Sequence, residues 1–89
     1  MQSRTITIIN KLGMHARAAA RFVQTASRYN CEIHISKNGR TVNGKSIMGV
    51  MMLAAAKDSV VQISAAGKDE LAAMEEIERL ILNRFGEAE

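Results

Sequence analysis

Asn38-Gly39 constrains the fold of this chain more than any other pair of residues. A two-residue β-hairpin of the common type needs positive φ at both central positions, and Asn-Gly tolerates it best. Before the pair, Cys31, Ile33 and Ile35 alternate with Glu32, His34 and Ser36; after it, Arg40-Thr41-Val42-Asn43 returns as the partner strand. Two more runs have the character of strands: Thr5-Ile6-Thr7-Ile8-Ile9, and Val60 to Ala65 closed by Gly67. Between the strands the period changes. From about Ala16 to Arg28, Ala19, Phe22, Val23 and Ala26 share one helical face, with Arg17, Arg21, Gln24 and Arg28 on the other. Ser46 is a natural N-cap for a short helix from Ile47 to about Leu53 or beyond. A last helix carries Asp69 and Glu70 in its first turn and Arg84 near its end, which suits the macrodipole. Its Met74, Ile77, Ile81 and Phe85 recur at helical spacing and should face the sheet. The order βαββαβα implies an α+β open-faced sandwich, a four-stranded antiparallel sheet covered on one face by three helices.

Eighty-nine residues are enough for one small domain, expected to span 1–89, with no room for a large catalytic cleft. The balance of 47% apolar and 24% charged residues points away from disorder. No apolar stretch is long enough to span a bilayer, no basic-then-apolar export signal is visible, and Cys31 has no partner for an internal disulfide. A cytoplasmic location is the expectation. The net charge of +3 favours acidic partners. Phe22, Tyr29 and Phe85 are the only aromatics, and both phenylalanines fall on core-facing helical positions. Without exposed rings for stacking, an acidic protein fits this charge better than nucleic acid does.

The chemistry concentrates at Gly13-Met14-His15-Ala16-Arg17. A strand and a short turn lead into a helix whose first residues follow His15. Free N–H groups and partial positive charge at a helix start favour a phosphate. The same field disfavours imidazolium and should keep His15 neutral and nucleophilic near neutral pH. Arg17 supplies a planar fork suited to phosphate oxygens. A histidine before a helix can also serve as a plain cap or a surface residue, and spacing alone leaves that open.

The run Gly13-Met14-His15-Ala16-Arg17-Ala18-Ala19, followed by Phe22-Val23, resembles the active-site signature of the HPr family. These are the histidine-containing phosphocarriers of the bacterial phosphoenolpyruvate-dependent phosphotransferase system. A second segment, Asn43 to Met51, is similar to the family's regulatory-serine region, and the two together cover nearly the whole chain. The resemblance implies that His15 accepts a phosphoryl group at Nδ1 from enzyme I and passes it to enzyme IIA domains. Arg17 and the Ala16 backbone N–H would steady the phosphate. It further implies that Ser46 is a target of an ATP-dependent HPr kinase/phosphorylase, with a transcription regulator as a further partner. Ile47, Met48 and Met51 are assigned to a docking face, rimmed by Arg17, Arg21, Gln24 and Lys45, with Val50 and Leu53 in the core. Such a protein would be a monomeric carrier needing no cofactor, rather than an autonomous enzyme. The chain departs from the family pattern at Ala18, where a proline is usual. The first turn keeps an N–H there and is less rigid, so transfer rates or partner choice could differ.

Other motifs read differently. Gly39 to Ser46 matches the phosphate-loop pattern G-x-x-x-x-G-K-[ST], but Arg40 to Val42 are needed as strand and a nucleotide domain needs a parallel sheet. His34 alternates outward with no Cys, Asp or His at ligand spacing, so no metal site is supported. No Ser-His-Asp or paired-carboxylate set suggests a hydrolase. Two alternatives are a binding module controlled chiefly through Ser46, and a small RNA binder, the latter weakened by the missing aromatic platform.

Overall fold

The period-two runs form four strands of one antiparallel sheet in the computed structural model, which describes residues 1–89. Strand β1 spans Gln2–Thr7, β2 Glu32–Lys37, β3 Arg40–Asn43 and β4 Val60–Ala66, arranged β1-β4-β2-β3. Helix α1 spans Ala16–Ser27, α2 Ile47–Met52 and α3 Glu70–Leu82. The register sets Val42, Ile35 and Ile63 side by side across β3, β2 and β4, and Ile6 beside Val61. These rows make one sheet face apolar. Phe22 of α1 and Met74, Ile77 and Ile81 of α3 are fully buried in the same core. Thr5, His34 and Gln62 are exposed on the opposite face. The expected open-faced α+β sandwich is the observed architecture.

Several local expectations hold. Asn38 and Gly39 take φ of 52° and 82°, the paired positive values the hairpin requires. The Ser46 hydroxyl accepts a hydrogen bond from the Gly49 N–H at 3.1 Å and caps α2. The phosphate-loop match is strand and turn: Arg40–Asn43 pair with β2, and the Gly44 N–H donates to the Ile33 carbonyl at 2.7 Å. Cys31 is buried, and that burial pushes its thiol above the ordinary range, so it packs as a small apolar group.

Three readings need correction. β1 ends at Thr7 rather than running to Ile9; Ile8 leaves the ladder but stays fully buried, bonded through its backbone to Ser59 and Asp58. On α1 the buried set is Ala18, Ala19, Phe22, Thr25 and Ala26, with Val23 only half-buried. The helix packs against both α2 and α3, so its buried arc is wider than one sheet-facing stripe. Finally, α3 stops at Leu82. Arg84, Phe85 and Gly86 take left-handed φ of 55°, 54° and 80°, so Arg84 and Phe85 lie beyond the helix. Phe85 is buried all the same, which is why helical spacing could not reveal the break.

Asp69 does more than complement a dipole. Its carboxylate accepts from the N–H groups of Asn30 (2.8 Å) and Cys31 (3.0 Å), stapling the α1–β2 connection to the start of α3. The Asn30 bond leads the interactions that hold this carboxyl below its usual range. A depressed carboxyl stabilises the fold above its unfolded value of about 4 and loses that contribution as pH falls through the folded value. Asp69→Asn should therefore lower the melting temperature near pH 7, with the gap to wild type closing below about pH 4. Thermal scans across that range check this; a gap independent of pH would contradict it.

Candidate functional site

His15 occupies the N-cap of α1 with extended backbone (φ −72°, ψ 178°), yet its side chain makes no capping bond. The imidazole is thus free for another task. The first intrahelical bond runs from the Ala19 N–H to the His15 carbonyl at 2.8 Å. The amides of Ala16, Arg17 and Ala18 precede it and have no acceptor within the helix. Ala18, fully buried in this first turn, keeps the N–H that a proline would remove.

The turn before the helix decides where those amides point. Gly13 has φ +65°, and a Cβ there would lie 2.6 Å from the Ala55 carbonyl oxygen and 2.7 Å from the Ala56 Cα. The Met14 N–H donates to the same Ala55 carbonyl at 2.8 Å, and the Met14 side chain is buried. The β1–α1 turn is therefore pressed onto the segment after α2 at one backbone contact. Asn10 braces the turn from inside. It is fully buried, and its Nδ2 donates to the Gly13 carbonyl at 2.8 Å and to Glu87 Oε1 at 3.0 Å. Its Oδ1 has no partner. Rotating the amide would set that oxygen against two acceptors, so the orientation is fixed by its neighbours.

The second oxygen of Glu87, Oε2, meets His15 Nε2. The side chains of His15 and Glu87 are 27% and 16% exposed, so the pair is shielded but reachable. Burial pushes the Glu87 carboxyl up; the hydrogen bonds from Asn10 and His15, with the charges of His15 and Arg21, outweigh it and leave the carboxyl below its ordinary range. Nδ1 is the ring nitrogen without a protein partner. A groove of about 680 Å³ opens here, lined by Lys11, Leu12, His15, Ala16, Arg17 and the segment Glu87-Ala88-Glu89. Arg17 is exposed on this groove with no ion pair of its own. An anion entering would meet a free ring nitrogen, free amides and a free guanidinium together.

The remaining residues assigned from the sequence divide into two groups. Met48 is 75% exposed, and Ile47, Met51 and Met52 are exposed with it, whereas Val50 and Leu53 are buried. The helix that carries this apolar surface packs against α1. Gln24 is exposed, but Arg21 donates to the Phe85 carbonyl and Lys45 Nζ to the Tyr29 carbonyl at 2.6 Å. Those two cations are structural ties as well as surface charge. Ser46 is half-buried at the head of α2. Sequence reasoning missed Asn10 and Glu87. Asn10 reads from the sequence as an ordinary turn residue, and nothing local pointed to Glu87, which reaches His15 only through the left-handed turn at Arg84-Phe85-Gly86. No group of three or more His, Cys, Asp or Glu is placed to hold a metal ion, and no helix is long and apolar enough to cross a membrane.

Residues 2–83 match the family model described as the HPr component phosphorylation site of the phosphotransferase system. The chain is 53% identical over 89 residues to a phosphocarrier protein HPr of Neisseria meningitidis, covering all of both chains. It is equally 53% identical, again over the full length of both, to the one from Cupriavidus necator. A crystal structure of HPr from Thermoanaerobacter tengcongensis superimposes with a TM-score of 0.97 at 47% identity, covering 100% of each chain.

The contact at Gly13 yields a paired prediction. Gly13→Ala combines left-handed strain with a clash against Ala55 and should cost about 2 kcal/mol or more. Gly39→Ala has positive φ but nothing within 4 Å of its Cβ, and should cost only about 1 kcal/mol. Urea unfolding of both variants measures the difference; equal losses would show that the Ala55 contact is not tight.

Proposed function

The chain belongs to the HPr family, and from that membership we propose that it carries a phosphoryl group on His15 between two protein partners. One observation supports this most: Nδ1 of a partly exposed histidine is unpartnered beside the unpaired first amides of α1 and the free Arg17 guanidinium. In the forward step the Nδ1 lone pair attacks phosphorus on phosphorylated enzyme I. A new N–P bond forms as the donor's N–P bond breaks, and the donor keeps the electron pair. The reverse logic delivers the group to an enzyme IIA domain. The Ala16 and Arg17 N–H groups with the Arg17 side chain accommodate the phosphoryl oxygens, a moderate stabilisation suited to a group that must leave again. The partner brings the rest of the machinery, and the exchange belongs in the cytoplasm.

The exposed Ile47, Met48 and Met51 give both partners a flexible apolar surface beside the site. Ser46 stands at the edge of that surface. Phosphorylation there by an ATP-dependent kinase adds a charge of about −1.5 to −2 at the head of α2, where the fold tolerates it. The change acts on partners, altering docking of enzyme I or recruiting a transcription regulator.

Intact mass after incubation with enzyme I, magnesium and phosphoenolpyruvate tests the carrier chemistry. Wild type should gain one acid-labile phosphoryl group and His15→Ala none, with Arg17→Ala loading about 100-fold more slowly. Equal gain in wild type and His15→Ala would place the chemistry elsewhere. Separately, Ser46→Asp should keep its melting temperature within about 2 °C while loading more slowly, and a collapsed fold would refute the surface role.

A further inference from the structure

Glu87 reaches His15 by a route that local preferences do not favour. Arg84 and Phe85 both adopt left-handed backbone, which residues bearing a Cβ avoid. The segment is held there at several points. Phe85 is fully buried and its carbonyl accepts from Arg21, while the Lys11 N–H donates to the Glu89 main-chain oxygen at 2.6 Å. Strain of this kind persists only where the surroundings impose it, and it concentrates at working sites.

The carboxylate so placed divides its two oxygens between two donors. Oε1 accepts from Nδ2 of the fully buried Asn10 at 3.0 Å, and Oε2 faces His15 Nε2. An ionised carboxylate only accepts, so Nε2 must carry hydrogen. In the neutral ring the lone pair then lies on Nδ1, the nitrogen open to the groove. We propose that Glu87 is a positioning residue for His15: it holds the ring in the Nε2–H tautomer and at the angle that presents Nδ1 to phosphorus, with Asn10 holding Glu87 in turn. The assignment rests on His15 being the phosphoryl acceptor. As Nδ1 forms its bond to phosphorus and the donor's N–P bond breaks, the His15 ring becomes cationic and keeps its Nε2–H. The Glu87 carboxylate faces that hydrogen and stabilises the charged ring without touching the phosphoryl group.

The test compares wild type, Glu87→Gln and Glu87→Ala, with His15→Ala as the blank. Rapid-quench mass measurement with enzyme I, magnesium and phosphoenolpyruvate gives kcat and KM for loading. Imidazole ¹⁵N spectra of the same proteins report the tautomer, with His34 as the internal control. Glutamine offers one oxygen and one NH₂ where two donors need acceptors, so it cannot replace the carboxylate. Wild type should show a protected Nε2–H on His15 that both variants lose while His34 is unchanged. Their kcat should fall about tenfold with KM little altered. Unchanged or faster loading in folded variants, or an Nδ1–H tautomer in wild type, overturns the proposal. Wild type that never loads at His15 overturns the acceptor reading first and this proposal with it, so the two failures are told apart.

Discussion

The backbone contact between Gly13 and Ala55 fixes the turn that leads into α1, and with it the place of His15 at the head of that helix. A helix beginning at Ala16 leaves its first amides unpaired wherever it starts; what would make them useful to an anion is a fixed direction. That direction comes from a turn that only a residue without a Cβ can press onto the Ala55 carbonyl, with the Met14 N–H bonding the same oxygen. Met14 fills the core below, and Asn10 closes the turn from within. The sheet supplies the foundation, since β1 delivers the chain to the turn and Ile8 ties it to Ser59 and Asp58.

From this anchor two surfaces diverge in character. Around His15 the surface is polar, with the Glu87 carboxylate on the ring and Ala16 and Arg17 lining the same groove. Along α2 it is apolar and loosely specified, with Met48 and its neighbours turned outward. A six-residue helix cannot bury all its sides, and here the unburied side carries long, unbranched thioethers. The polar groove and the apolar face are thus separate surfaces of one small fold. The basic side chains between them are partly spent on the fold, since Arg21 and Lys45 both close on backbone carbonyls.

The architecture was legible in the sequence because the strand runs alternated and Asn38-Gly39 forced the hairpin that places β3 at the sheet edge. Ser46 announced its helix as an N-cap, and the outward set Ile47, Met48 and Met51 matched the observed exposure. His15 and Arg17 were visible as a pair at a helix start, and both line the groove. The other half of the site was not visible. Glu87 depends on three successive left-handed residues, and Phe85 is buried whether or not the helix continues, so apolar periodicity carried no trace of the turn. Asn10 looked like an ordinary turn residue because its value lies in a contact 77 positions away. Local patterns reveal faces and caps; they are silent on which distant carboxylate a buried amide will hold.

The central claim is that the phosphoryl group bonds to His15 Nδ1 and rests on the start of α1. Phosphorus and nitrogen NMR of the loaded, ¹⁵N-labelled protein tests it most directly. The account predicts phosphorus coupled to His15 Nδ1, hydrogen retained on Nε2, and the largest amide shifts at Ala16 and Arg17. Phosphorus on Nε2, or a resonance belonging to another residue with the α1 amides unmoved, would contradict it.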